Sequence, residues 1–167
     1  NGASWTAGTA ISTGRSGLAG NGTSTSSIIY SGAVAPGFTA TGVTEEWNGT
    51  SWSGGAALTT ARNKAGGAGA DATSALCFGG DAPPPRTTAT ESYDGTSWTA
   101  GGDLGTARSD QDGMGNTNTA AVIAGGNGPP TANATQEYNI STTVITAAAW
   151  AAGGTYPTNA SGAAVAG

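Results

Sequence analysis

Apolar residues in this chain come in short runs set between Gly, Ser, Thr and Asn. Three of them are Ile28-Ile29-Tyr30, Leu76-Cys77-Phe78 and Val122-Ile123-Ala124, with glycine at Gly32, Gly79 and Gly125 where they end. Short apolar runs bounded by turn residues read as strands, and no segment sustains an apolar period of about 3.6 residues, so almost no helix is expected. The clearest stretch predicts four strands. The first follows Arg62 through small residues to Ala70. The second covers Ser74–Phe78 and ends at Gly79-Gly80. The third covers about Thr88–Tyr93, where Thr and aromatic residues suit a pleated surface. The fourth runs from Ser97 toward Gly101. Asp94-Gly95 between the last two predicts a tight hairpin turn, because both residues tolerate positive φ.

The pattern repeats. Asn1-Gly2-Ala3-Ser4-Trp5 returns as Asn48-Gly49-Thr50-Ser51-Trp52 and as Asp94-Gly95-Thr96-Ser97-Trp98, with the tryptophans 47 and 46 residues apart. Ten residues after each Trp stands an Arg, namely Arg15, Arg62 and Arg108. Gly32, Gly79 and Gly125 follow seventeen residues after each Arg, and an aromatic (Trp47, Tyr93, Tyr138) closes each unit. The units span approximately 1–47, 48–93 and 94–138. A fourth, degenerate or incomplete, covers 139–167, where the Trp is delayed to Trp150 and the Arg is missing. In phase, the chain begins near a fourth strand around Trp5, holds three complete four-strand units, and ends in a first strand around 159–167. Four strands per repeat of this length is the pattern of a propeller blade, and one blade cannot bury both its faces alone. The expected fold is therefore all-β: a single array of about three and a half four-stranded blades, part of a larger or assembled propeller. A β-solenoid suits the composition too, but its rungs usually repeat at about half this period or less.

The di-glycines after an apolar strand (Gly79-Gly80, Gly125-Gly126), the later aromatics (Tyr93, Tyr138) and the Trp beyond them (Trp98, Trp150) resemble the kelch repeat over nearly the whole chain. The first unit has Ser31-Gly32 in place of Gly-Gly. The wording of Thr44-Glu45-Glu46-Trp47-Asn48-Gly49-Thr50-Ser51-Trp52, with Thr60-Ala61-Arg62 and Phe78-Gly79-Gly80, is similar to kelch-like repeats in virion proteins of marine tailed bacteriophages. That resemblance implies a tail, fibre or surface-decoration protein.

Composition narrows the chemistry. Charged residues make up only 9% of the chain, where disordered chains are usually highly charged. Net charge is −5 with a single Lys, Lys64, so no stripe exists to neutralise phosphates and no nucleic-acid partner is expected. No apolar run approaches the ~20 residues that span a bilayer, so no membrane insertion is expected. The chain has no His, which removes a Ser-His-Asp triad and any imidazole metal site within it. The copper site of kelch-type oxidases needs such ligands. No metal, cofactor or catalytic residue is expected. Cys77 lies in an apolar strand and reads as buried and inert. Glu45 and Glu46 are adjacent, so in a strand they point to opposite faces and form no catalytic pair. Asp110-Gln111-Asp112-Gly113 resembles part of a calcium loop but lacks the remaining ligands.

Candidate binding residues lie in the variable loops after the second strand, at 33–41, 81–87 and 127–134, each of which contains Pro. Stiff exposed loops lose little entropy on binding. Phe38, Asp81 and Arg86 are the side chains singled out there as ligand-binding. Arg15, Arg62 and Arg108 recur in phase and read as architectural, with guanidiniums satisfying loop carbonyls. The Trp and Tyr landmarks read as packing between sheets. The expectation is a non-enzymatic virion structural or adhesion protein whose loops contact a host surface glycan, neighbouring virion proteins or further copies of itself, at an extracellular site. The alternatives are a cellular kelch module for protein–protein binding and a non-catalytic segment of an extracellular carbohydrate-active enzyme.

Overall fold

The computed structural model describes residues 4–82, 85–128 and 134–140. Their strands are β1 (Arg15–Ser16), β2 (Ala19–Gly22), β3 (Ser27–Tyr30), β4 (Ala33–Val34), β5 (Thr39–Ala40), β6 (Glu45–Trp47) and β7 (Trp52–Gly54). They continue with β8 (Gly66–Asp71), β9 (Ser74–Phe78), β10 (Thr90–Tyr93), β11 (Trp98–Ala100), β12 (Asp112–Met114), β13 (Ala120–Ala124) and β14 (Thr135–Asn139). The described residues contain no helix, and the strands make four antiparallel sheets. Two are four-stranded, β2-β3-β6-β7 and β8-β9-β10-β11. Two are three-stranded, β12-β13-β14 and the small β1-β4-β5.

The second unit follows its pattern closely: β9 covers Ser74–Phe78, β10 and β11 lie inside the predicted spans, and β8 runs one residue past Ala70, to Asp71. The turn after β10 differs. Tyr93 pairs with Trp98, so the loop has four residues and is not a two-residue hairpin. The Asp94 carboxylate accepts the Thr96 and Ser97 amides, both at 2.8 Å, and Asn48 does the same for Thr50 and Ser51 at 2.9 Å. A side-chain acceptor that captures two amides holds the wider loop. The loop expected over 33–41 also differs, since it contains β4 and β5, which pair with each other, and β4 pairs with β1 on its other side. The strand expected around Trp5 is not formed; Trp5 is fully exposed. The β7 and β11 strands each form on a third strand, and among the described residues no such strand lies beside Trp5. Trp150 and the strand expected over 159–167 lie outside the described residues.

Successive sheets meet through their first strands, β2 beside β8 and β8 beside β12. Glycine makes the approach possible. A Cβ added at Gly67 would stand 2.3 Å from Tyr30 Oη, and one at Gly113 2.3 Å from Phe78 Cζ. Tyr30 and Trp98 pack edge to face at 4.9 Å, and Trp98 Nε1 donates to Thr44 Oγ1 at 3.0 Å across the first junction. Ile28, Ala75, Cys77 and Tyr93 complete this core. Burial pushes the Cys77 thiol up to about 12, so it stays protonated and unreactive at neutral pH. Leu76, Phe78, Ala121 and Ile123 form the core of the second junction, with Leu104 and Tyr138 packed on it. Trp52 departs from the expected burial between sheets: it is half-exposed and packs on Trp47 within its own sheet.

The backbone also links one unit to the next. Gly32 N–H donates to Arg62 O at 2.9 Å, and Gly80 N–H donates to Arg108 O at 2.8 Å. Ser31, Gly79 and Gly125 share positive φ angles of 60°, 61° and 68°. Ser31 therefore occupies the place of Gly79, and Gly32 matches Gly80 and not Gly79.

Candidate functional site

The side chains of the three recurrent arginines are fully buried. Arg62 Nη1 donates to Ala89 O at 2.7 Å and Gly79 O at 3.3 Å; Arg108 Nη1 donates to Ala134 O and Gly125 O, both at 3.0 Å. Each thus ties its unit's third strand to its di-glycine. Arg62 also pairs with the Glu91 carboxylate, and Arg15 pairs with Glu45 at 2.6 Å. Burial works against the Glu45 carboxylate, but the Ser12 amide and the Arg15 guanidinium outweigh it and hold its pKa below the ordinary value. Its neighbour Glu46 faces the other way and accepts from the Tyr93 hydroxyl. Burial, with the Glu46 carboxylate, pushes that phenol up to about 12.

Three of the chain's five cations are consumed in this way, and the other two, Lys64 and Arg86, meet on one surface. Lys64 Nζ lies 3.6 Å from Asp81 and 4.0 Å from Asp110. Arg86 Nε lies 3.6 Å from Asp81 and donates to Ser109 Oγ at 3.3 Å, and that hydroxyl donates to Asp110 at 3.2 Å. Local folding places them. Asp81 directly follows the di-glycine and bridges both Asn63 and Arg86. Lys64 and Asp110 each stand two residues beyond a buried Arg, with φ of 53° and 56°. Lys64 N–H donates to Gly17 O at 2.7 Å, and Asp110 N–H donates to Lys64 O at 3.0 Å, so adjoining units hold these side chains together.

The four charged side chains are between 32% and 48% exposed, open enough to meet a partner while fixed at their backbones. Alternating cations and carboxylates offer both donors and acceptors, which suits a ligand rich in hydroxyl groups. Phe38, 66% exposed, tops the neighbouring β4–β5 hairpin. The base of that hairpin bridges to the next unit, Thr41 to Arg62. The structure thus brings Asp81 and Arg86 into direct contact and sets Phe38 on the adjoining hairpin.

Lys64 and Asp110 were not singled out in the sequence as ligand-binding: Lys64 entered only as the single Lys, and Asp110 only within the stretch that resembles part of a calcium loop. The positions two after each Arg hold Gly17, Lys64 and Asp110, chemically unlike, so only their shared phase marks them. Glu45, Glu91 and Gln136 were also missed as arginine partners, although each stands two residues before the closing aromatic. Among the described residues no cluster of three or more His, Cys, Asp and Glu is placed to hold a metal, and no helix is long and apolar enough to cross a membrane.

No protein-family model and no curated protein matches the chain. Among solved structures, that of YjhT is similar with a TM-score of 0.60 at 15% sequence identity, over 77% of this chain and 43% of that one. This chain thus spans less than half the length of YjhT, and at that identity the likeness is one of fold alone.

Proposed function

We propose that the chain is a run of kelch-type propeller blades that serves as a non-enzymatic recognition surface of a virion, exposed outside the cell. Its ligand is a host surface glycan, held by Asp81, Arg86, Lys64 and Asp110 with Phe38 as an apolar contact. The observation that carries this reading is the convergence of both unburied cations with two aspartates on loops braced by the unit junctions. Carboxylates that accept from sugar hydroxyls, cations that donate to ring and hydroxyl oxygens, and a nearby aromatic face form a polar site with one apolar wall. The buried arginines are occupied by carbonyls and carboxylates of their own units, which supports an architectural role for them.

Binding of the chain to an immobilised panel of bacterial surface glycans tests this reading. Wild type is expected to bind a subset of the panel, and Asp81→Ala and Arg86→Ala to lose at least tenfold in affinity. Equal binding by wild type and both variants, or no binding anywhere on the panel, overturns the glycan reading. Capture of a purified neighbouring virion protein by wild type but not by the variants would reassign the same surface to assembly.

A further inference from the structure

Four Asn-Gly pairs occur in the chain, beginning at Asn1, Asn21, Asn48 and Asn127. Asn is a chemically labile residue, and a following glycine presents its backbone nitrogen with no side chain in the way. Folding treats the pairs differently. Asn1-Gly2 lies outside the described residues. The Asn21 amide is locked: Nδ2 donates to Asp71 O at 3.2 Å and Ser74 O at 3.4 Å, Oδ1 accepts from the Tyr30 hydroxyl at 3.1 Å, and Gly22 pairs with Ser27 in the sheet. Asn127 is pinned by its backbone, which exchanges hydrogen bonds of 3.1 and 2.6 Å with Ser109. Asn48 and Gly49 are both exposed in the loop between β6 and β7, and Gly49 N–H meets no acceptor among the described residues.

The Asn48 side chain is nevertheless held in place. Its Oδ1 accepts the Thr50 and Ser51 amides, both at 2.9 Å, and its Nδ2 lies 3.4 Å from Ser51 Oγ. Amides aimed at a carbonyl oxygen stabilise the negative charge it gains when its carbon is attacked. The next unit shows that effect, since the matching Ser97 and Thr96 amides hold the Asp94 carboxyl below its ordinary pKa.

We propose that Asn48 is a site of spontaneous deamidation, which turns the first unit's loop into the acidic form that Asp94 gives the second. The Gly49 nitrogen, losing its proton to solvent, attacks Asn48 Cγ. The N–Cγ bond forms, the Cγ–Nδ2 bond breaks, and Nδ2 takes up a proton and leaves as ammonia beside the Ser51 hydroxyl. Water then opens the cyclic imide. Attack at Cγ leaves aspartate, and attack at the backbone carbonyl carbon leaves β-linked isoaspartate. The Thr50 and Ser51 amides polarise the Cγ carbonyl, so opening there is favoured and aspartate is the main product. The net change consumes water, releases ammonia and adds a negative charge. The loop survives it, because Asp94 makes the same two bonds at 2.8 Å.

Ageing the whole chain at mildly alkaline pH, with peptide mapping by mass spectrometry and an isoaspartate-specific methylation assay, tests the proposal. Asn48 is expected to convert at least tenfold faster than Asn21 and Asn127, with aspartate in excess of isoaspartate, and the aged chain to co-elute with the Asn48→Asp variant. In concentrated urea the three rates should come together, because the fold alone distinguishes the pairs. Equal rates in the folded chain overturn the proposal. So does a rate difference that persists in urea, which would belong to the local sequence. Isoaspartate as the main product of the folded chain overturns the role assigned to the two amides.

Discussion

Arg62 meets the Glu91 carboxylate inside the second unit with both side chains buried, and the same two positions in the third unit hold Arg108 and Gln136. The amides three residues before each Arg complete the comparison. Thr59 N–H donates to Glu91 at 2.7 Å, and Gly105 N–H donates to Gln136 Oε1 at 2.9 Å. The neutral amide thus keeps the backbone bond but brings no counter-charge; Arg108 Nε and Nη2 have no partners, as is also true of the same atoms of Arg15 beside Glu45.

Two substitutions separate these contributions. Glu91→Gln strands a buried guanidinium and should cost about 3–5 kcal/mol. Gln136→Glu supplies the missing carboxylate while retaining the Gly105 bond, and should stabilise by about 1.5–3 kcal/mol, the range of a hydrogen bond to a charged group. Urea denaturation at neutral pH checks both. No gain from Gln136→Glu would mean that Arg108 is held well enough without a counter-charge by the Gly125 and Ala134 carbonyls on its Nη1.

Acid should weaken the first unit through Glu45. Its pKa is lowered in the folded state, so the stability it contributes is fully present above the ordinary glutamate value of about 4.3 and is lost as pH falls through the lower folded value. Glu45→Gln should lower stability at pH 7 and flatten the acid limb below about pH 4.3. Asp94 gives a second test, since the Ser97 and Thr96 amides lower its pKa as well. Asn48 already makes the same two bonds in the preceding unit, so Asp94→Asn should preserve the loop and remove its share of the pH dependence. Unfolding curves from pH 3 to pH 7 decide both.

The repeat was legible in the sequence where a landmark serves a repeated contact, as the arginines and the di-glycines do, whereas Trp5, Trp52 and Trp98 each have different surroundings. Trp98 marks a strand, Arg62 a knot of carbonyls, and Gly79-Gly80 a backbone that no side chain fits easily. The strand-rich fold, without helix among the described residues, followed from the short apolar runs. Features that break the chemical repeat while keeping its phase were harder to see. Gln136 in place of a glutamate hid the arginine partners, and Gly17, Lys64 and Asp110 share a conformation but no side-chain chemistry. Half of the candidate site was hidden for that reason. Asp81 and Arg86 stood out on a Pro-rich loop, while Lys64 and Asp110 meet them only through backbone bonds between units.

Ser31 shows what such a break costs. It adopts a left-handed φ of 60° where the other units use glycine, and its buried hydroxyl has no partner. Ser31→Gly should therefore stabilise the chain by about 1 kcal/mol, the left-handed penalty of a residue with a Cβ set against the greater freedom of unfolded glycine. Gly67→Ala should act in the opposite sense, because its Cβ would overlap Tyr30 Oη at the first junction; a cost of about 1–3 kcal/mol is expected. Thermal melts of the two variants should move in opposite directions.

The charged surface should separate binding from stability. Lys64, Asp81, Arg86 and Asp110 are all partly solvated, and exposed ion pairs contribute about 0–1 kcal/mol. Removing Arg86 leaves the Asp81 backbone held by its two bonds with Asn63, at 3.0 and 2.8 Å. Arg86→Ala and Lys64→Ala should therefore melt within a few degrees of wild type while abolishing ligand capture. Salt gives an independent check: screening acts on exposed charges and spares the buried arginine pairs. Raising the ionic strength should weaken ligand binding by wild type and leave its unfolding midpoint nearly fixed. A matched fall in both would place these side chains in the architecture of the unit junctions and not on a recognition surface.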